Sequence, residues 1–251
     1  MNRKDDFSRL EINLKGCLEN YRYFRSRLES STKLLVLVKA NAYGHGAVEF
    51  ASLMEEAGAD YLAVAYPVEG MELRDAGIKS PILVLSGGAD SFEEIIDHDL
   101  EPGIPNLYSL KTLCGILEKR GVEDFPVHIK LDSGMHRLGF EQEDIPHLIT
   151  ELERVSQYVR VATIFSHLAT ADDTEQDDFT REQIARYDTI SSQLAAALPY
   201  RVIRHTAASA AMERFDEARF DMCRLGLGLY GFDYYRNDAL TPVATLKARV
   251  V

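Results

Sequence analysis

The chain predicts an α/β protein whose main body is a (β/α)8 barrel of the TIM type, on three observations. Short apolar runs rich in valine, leucine and isoleucine recur from residue 34 onward, each bounded by turn residues. Between them lie longer stretches with apolar residues at helical spacing, the alternation that βα units produce. Eight such runs fit within 251 residues, a length that α/β barrels commonly fill as one domain. Eight parallel strands, each followed by a helix, close on themselves, and right-handed crossovers gather the strand-to-helix loops at one rim.

Residues 7–14 alternate apolar and polar side chains, as a half-buried strand does, and precede the repeat. Residues 14–28 then place Leu18, Tyr21, Phe24 and Leu28 at helical spacing. The barrel strands are expected at 34–40, 61–66, 81–86, 100–104, 127–131, 159–167, 201–205 and 221–225, with helices among them at 47–57, 68–76, 109–120, 145–155 and 180–197. No Pro/Gly/Ser-rich linker divides the chain before residue 231. Residues 233–238 are polar and loop-like, and strand-like alternation resumes over 241–251. These shifts divide the chain into an N-terminal strand (1–13), a barrel (14–232), and a linker with the first strand of a C-terminal β domain (233–251). Natural domains seldom end on an apolar strand, so that second domain is expected to continue past Val251, leaving the strand over 245–251 as an unpaired edge, with a terminal strand docked onto the barrel as the alternative.

Twenty-eight basic residues against forty acidic ones give a formal net charge of -12. Nucleic acids and anionic membranes select basic surfaces, so neither is an expected partner. A phosphorylated small molecule stays open, because a pocket of backbone N–H groups holds phosphate on an acidic protein. Cys17, Cys114 and Cys223 are scattered without paired spacing, as free thiols in a reducing cytoplasm are. No apolar run approaches the ~20 residues of a membrane span, and the polar start carries no signal-peptide core, so a cytoplasmic location is expected. The acidic run 172–178 reads as a solvated loop with N-terminal helix charge, and no metal site is expected.

The clearest chemical signal lies at the end of the first barrel strand, in Val38-Lys39-Ala40-Asn41-Ala42-Tyr43-Gly44-His45-Gly46. A lysine at the mouth of an apolar strand is partly desolvated, which favours the neutral amine that attacks carbonyls. Small residues and two glycines follow for close backbone approach, with a phenol and an imidazole nearby. On the strand 127–131, His128, Lys130 and Asp132 share one face by period-two alternation and are expected at the barrel mouth. After the seventh strand, His205-Thr206-Ala207-Ala208-Ser209-Ala210-Ala211 offers a small-residue turn with a hydroxyl at a helix start, suited to phosphate. After the eighth comes the glycine-rich Arg224-Leu225-Gly226-Leu227-Gly228-Leu229-Tyr230-Gly231, and loops after strands seven and eight recurrently bind phosphate in such barrels. Alone, each segment has a plain structural reading: a snorkelling lysine, a solvated strand end, a tight turn.

Together with Lys130-Leu131-Asp132-Ser133-Gly134-Met135-His136-Arg137-Leu138-Gly139 and Phe165-Ser166-His167-Leu168, these segments resemble the alanine racemases in the family's order, over almost the whole chain. The resemblance implies pyridoxal 5'-phosphate held covalently by Lys39, which is also the base for the D-enantiomer. It implies that Lys130, a position often carbamylated in the family, orients Arg137, the residue that binds the substrate carboxylate. His167 would lie against the cofactor ring and Arg224 would face its nitrogen. Ser209 with the backbone of Gly226 and Leu227 would hold the phosphate, and Tyr43 and Tyr230 would complete the surroundings. The family commonly has asparagine where this chain has Ala208, so only Ser209 carries over at that motif. Also implied are alanine as substrate, D-alanine supply to peptidoglycan, and a homodimer. In that dimer, a tyrosine of the second domain acts across a head-to-tail interface as the other base, so residues 1–251 alone would be an impaired isomerase. Two other readings stand beside it: a single-domain carrier of the same cofactor, and a non-catalytic phosphate-binding barrel in which Lys39 is structural.

Overall fold

The structure is a computed structural model and describes residues 8–232, 234–235 and 238–250. Those parts of the expected N-terminal strand and C-terminal segment that fall on 1–7, 233, 236, 237 and 251 lie outside the described residues. After β1 (Ser8–Ile12) come β2 (Lys33–Leu37), β3 (Tyr61–Val64), β4 (Ile82–Val84), β5 (Glu101–Ile104), β6 (Phe125–Lys130), β7 (Val159–Phe165), β8 (Ile203–His205) and β9 (Met222–Leu225). Strands β2 to β8 pair in parallel in chain order, and β9 pairs with the free side of β2. At the remaining seam the Asp221 N–H donates to the Arg204 carbonyl and the Arg224 N–H to the Ala207 carbonyl, both at 3.0 Å. The predicted barrel of eight parallel strands is thus observed, and its edges meet.

Helices Ala47–Glu56, Pro67–Asp75, Leu107–Arg120, Ile145–Arg154 and Asp177–Ala197 stand where the apolar spacing puts them. Two short helices, Phe92–Asp97 and Ser209–Arg214, fill the remaining crossovers. The last barrel strand departs from the expected pattern, because β9 runs into a 3-10 turn, Leu227–Tyr230, instead of a helix. Helix Leu14–Ser26 takes that place in the outer ring. Its Asn20 amide donates to the Leu229 carbonyl at 3.1 Å and to the Thr241 carbonyl at 2.8 Å. Its Phe24 ring lies so close to Gly228 that a Cβ there would sit 2.5 Å from it. The glycine-rich run therefore turns tightly beneath an aromatic ring, and no outer helix follows it.

The expectation of an unpaired edge over 245–251 is corrected for residues 245–248. The last strand, β10 (Ala244–Ala248), pairs antiparallel with β1, from Ser8 beside Ala248 to Ile12 beside Ala244. Both segments leave the barrel next to helix Leu14–Ser26, where the Asn13 N–H donates to the Val243 carbonyl at 2.7 Å and brings them together. No helix among the described residues is long and apolar enough to cross a membrane.

The larger apolar core fills the space between the strands and their helices, with Phe50, Phe92, Leu62, Ile82 and Tyr187 fully buried. Each such side chain contributes roughly 1.5–3 kcal/mol on leaving water. Inside the barrel the lining divides. Leu35, Leu37, Ala63, Leu83 and Met222, from β2, β3, β4 and β9, form an apolar half. The half contributed by β5 to β9 carries Glu101, His128, Thr163, His205 and Arg224, joined to one another by hydrogen bonds.

Candidate active site

At the C-terminal ends of the strands lies a cavity of about 410 Å³. Lys39, Tyr43, Lys130, Arg137, His167, Ser209, Arg224, Gly226 and Leu227 all line it, so nine of the residues singled out from the motifs reach one space, whereas Tyr230, His128 and Asp132 do not.

Lys39 reaches it through unusual backbone. The first barrel strand ends at Leu37, three residues before the expected limit of Ala40, because Ala40, Asn41, Ala42 and Tyr43 all adopt left-handed conformations with φ between 51 and 54°. Such residues cost roughly 1–2 kcal/mol each outside glycine, and persist where the surroundings over-determine them. Here Glu69 accepts the Ala40 N–H at 2.6 Å, the Asn41 side chain accepts the Ala47 N–H at 2.8 Å, and the His45 ring donates to the Ala42 carbonyl at 2.9 Å. The tight turn leaves Lys39 half-buried, with its amine 5.9 Å from the centre of the Tyr43 ring.

Tyr43, Ser209 and Gly226 form one wall. The Ser209 hydroxyl accepts the N–H groups of Gly226 and Gly228 at 3.0 and 3.2 Å. A Cβ on Gly226 would come within 3.2 Å of the Tyr43 hydroxyl, so glycine keeps this corner open. Burial pushes the Tyr43 phenol up, and the phenol therefore stays a donor at neutral pH. Tyr230 backs this wall: it packs 4.8 Å from Tyr43 between ring centres, and its hydroxyl donates to the Leu37 carbonyl at 2.8 Å.

Arg224 enters from below, 4% exposed. Its Nη1 donates to His205 Nδ1 at 3.0 Å, and its Nη2 to the carbonyls of Ser166 and Thr206 at 2.8 and 2.9 Å. No described residue takes its Nε–H, which leaves that donor for a ligand. Burial lowers its pKa to about 10, so it remains a cation at neutral pH. His167 lies beside it, with Nδ1 at 3.3 Å from Nη2. Burial first, then the cations Arg224, Lys130, Arg137 and Lys39, push the imidazole down to about 3, so it is neutral. Because an arginine only donates, Nδ1 of His167 is the acceptor and its proton sits on Nε2.

Of the three polar residues expected at the mouth, only Lys130 lines the cavity. Its amine lies 5.2 Å from the centre of the Phe165 ring. Burial, then Arg224 and Arg137, lower it to about 7 against the opposing pull of Asp132. Asp132 is turned into its own loop by backbone hydrogen bonds, and His128 is buried lower in the barrel. The sequence reading missed Glu69, which braces the lysine turn, and Tyr234, which lines the cavity from what reads as a linker. A glutamate on the next crossover helix and a tyrosine in a polar run carry no local signal of either task.

A family profile described as "Alanine racemase, N-terminal domain" matches residues 12–233. The alanine racemase of Synechocystis sp. is 40% identical over 248 residues, covering 96% of this chain and 66% of that protein. The chain thus spans slightly less than two thirds of the length of this curated relative. Among solved structures, the alanine racemase of Clostridium difficile 630 in complex with cycloserine superposes with a TM-score of 0.90 at 36% identity, covering 97% of this chain and 68% of that one. An alanine racemase from Bartonella henselae with covalently bound pyridoxal phosphate shares the fold, at a TM-score of 0.87 and 24% identity over 98% of this chain and 70% of that one. With the profile running through the whole barrel, the chain belongs to the alanine racemase N-terminal domain family.

Proposed function

We propose that this barrel binds pyridoxal 5'-phosphate through Lys39 and forms the cofactor-binding part of a racemase that interconverts L- and D-alanine. The observation that carries the reading is the convergence of Lys39, Arg137, His167, Ser209 and Arg224 on one cavity. The donor set fits the group. Ser209, Tyr43 and the backbone of Gly226 and Leu227 make a crowded, donor-rich corner for a phosphate. The neutral His167 offers a flat wall for an aromatic ring, and the spare Nε–H of Arg224 suits a ring nitrogen that carries no proton.

Pyridoxal phosphate, when bound, supplies an electron sink that acidifies the α-proton of an amino acid joined to it. The chain's own residues then have separable tasks. Lys39 anchors the cofactor and, once its amine is free, removes and returns the α-proton on one side of the substrate. Arg137 binds the alanine carboxylate, which a simple cofactor carrier would not require. Lys130, whose amine loses its ammonium proton near neutrality, adds to CO2 through its nitrogen and gives up a second proton to water, becoming a carbamate anion that pairs with Arg137. Arg224, always a cation here, donates to the ring nitrogen and keeps a proton off it, which limits the reaction to proton exchange. The second acid/base group, a homodimeric assembly and a role in D-alanine supply for peptidoglycan complete the reading by resemblance. The test is direct: adding pyridoxal phosphate should give a visible absorption band, borohydride should fix the adduct, and peptide mapping should find it on Lys39. An adduct on another lysine, or none, overturns the proposal.

A further inference from the structure

A single file of hydrogen bonds runs through the barrel from β5 to the cavity. Glu101 Oε2 lies 2.8 Å from His128 Nε2, His128 Nδ1 lies 2.8 Å from Thr163 Oγ1, and Thr163 Oγ1 lies 2.9 Å from His205 Nε2. His205 Nδ1 then lies 3.0 Å from Arg224 Nη1. His128, Thr163 and His205 are completely buried, and the Glu101 side chain is 14% exposed. Such a file replaces the branched apolar residues that usually fill a barrel of this kind, and it is stable only when every member is satisfied.

The two ends fix its direction. An arginine can only donate and a carboxylate can only accept. Reading from Arg224, its N–H donates to His205 Nδ1, the His205 Nε2–H donates to the Thr163 oxygen, the Thr163 hydroxyl donates to His128 Nδ1, and the His128 Nε2–H donates to Glu101. With one proton on each ring every atom has one role, and reversing any one link would set donor against donor at Arg224 or leave Glu101 facing a bare nitrogen. The rings are clamped as well: Phe165 stacks on His205 at 5.4 Å and 12°, and Tyr61 meets His128 edge-on at 5.8 Å. Burial and the Arg224 charge hold His205 well below the usual histidine range, in keeping with a neutral ring that accepts from the arginine.

We propose that Glu101, at the end of the barrel remote from the cavity, is a positioning residue for the cofactor site: through His128, Thr163 and His205 it fixes the orientation of Arg224. The part of this inference that concerns a ring nitrogen rests on the function proposed above, whereas the polarity of the file does not.

The experiment uses the cofactor-free chain labelled with 15N at histidine and arginine. Imidazole nitrogen shifts distinguish the two neutral tautomers, and both His128 and His205 should carry their proton on Nε2. In Glu101→Leu the last acceptor is lost, His128 should show a mixture of tautomers while Arg224 still holds His205 to one, and the Arg224 side-chain signals should shift as the file relaxes. Glu101→Gln keeps a carbonyl that accepts the same N–H and should retain the wild-type pattern. Affinity for pyridoxal phosphate should fall roughly tenfold in Glu101→Leu and little in Glu101→Gln, the worth of about one hydrogen bond. A glutamate that merely stabilised the fold would lower the melting temperature without moving the His128 tautomer or the Arg224 signals. Wild-type protonation of either histidine on Nδ1, or unchanged His128 and Arg224 signals in a folded Glu101→Leu chain, overturns the proposal. The wild-type spectrum needs no variant and decides alone if Glu101→Leu does not fold. Absence of borohydride labelling in the unaltered chain counts against the site reading, while the wrong tautomers with normal labelling count against the file alone.

Discussion

Asp132 holds the backbone of Arg137: its Oδ2 accepts the Arg137 N–H at 3.1 Å, while Oδ1 accepts those of Gly134, Met135 and His136 at 2.8, 2.9 and 3.1 Å. Burial alone would raise this carboxyl, yet the four donors keep it below the ordinary aspartate range. One carboxylate thus shapes the loop that delivers Arg137 to the cavity. Asp132→Ala should cost about 2–3 kcal/mol of stability, the scale of losing hydrogen bonds to a charged group. It should also raise KM for alanine more than it lowers covalent loading of Lys39. Thermal unfolding and steady-state kinetics check both, and an unchanged KM would show that the loop does not depend on Asp132.

The barrel, and the cavity at its rim, were legible because both rest on local pattern: period-two strands such as Val127 to Lys130, helical spacing, and motif residues placed at strand ends. What stayed hidden has non-local causes. Nothing in Ala40-Asn41-Ala42-Tyr43, which lacks glycine, announces four left-handed residues, since the turn is imposed by Glu69 and its neighbours. Pairing of β1 with β10 joins segments over two hundred residues apart in the chain, beyond any local reading. The file from Glu101 to Arg224 is invisible for a similar reason, because each of five strands contributes a single residue to it.

His167 and His205 are both held neutral, His167 down at about 3 and His205 well below 6.5. Unfolded histidines titrate near 6.5, so below that pH the unfolded chain binds more protons than the folded one. The sign follows: stability is fully present above pH 6.5 and falls on acidification, by about 1.4 kcal/mol per histidine for each pH unit. Denaturant titrations from pH 7.5 down to pH 5 should steepen below 6.5, and replacing His167 with glutamine should roughly halve that slope. A flat profile would show that these rings are charged in the folded state.

Lys130 acts with the same sign in a more alkaline window. Its folded pKa of about 7 lies below the ordinary lysine value of 10.5, so the unfolded chain holds the extra proton between those limits and stability should climb with pH through them. Reaction with CO2 needs the unprotonated amine, so carbamate should appear as pH rises through 7. Carbon NMR with labelled bicarbonate at pH 8 should show one carbamate signal that Lys130→Ala removes. No signal at that pH would overturn the modification and, with it, the ion pair between Lys130 and Arg137.

Lys39 should be the sole site of cofactor attachment. Lys39→Ala should abolish the borohydride-fixed adduct while leaving Ser209, Arg224 and the fold in place, so the variant should still bind pyridoxal phosphate reversibly. Mass spectrometry and fluorescence titration separate the two outcomes, and loss of all binding in a folded variant would mean that the phosphate corner contributes little.

Glu69 ties the lysine turn to the neighbouring strand. Its Oε1 accepts the Ala40 N–H at 2.6 Å, and its Oε2 accepts the N–H groups of Ala65 and Tyr66 at 2.6 and 3.1 Å. The residue directly after Lys39 is thereby fixed against the end of β3, and the left-handed run that follows begins from a clamped amide. Without the clamp that run would relax toward an ordinary conformation, because left-handed residues other than glycine are costly. Glu69→Leu should therefore move the Lys39 amine away from the cavity. We expect covalent loading to slow by roughly tenfold or more, the sensitivity usual for a misplaced reacting group. Ala40→Gly, which relaxes the strain without removing the clamp, should instead leave loading intact and stabilise the chain by about 1 kcal/mol. Stopped-flow absorbance with pyridoxal phosphate measures the first effect and thermal unfolding the second. Equal loading rates in Glu69→Leu and the unaltered chain would show that the turn keeps its shape by itself.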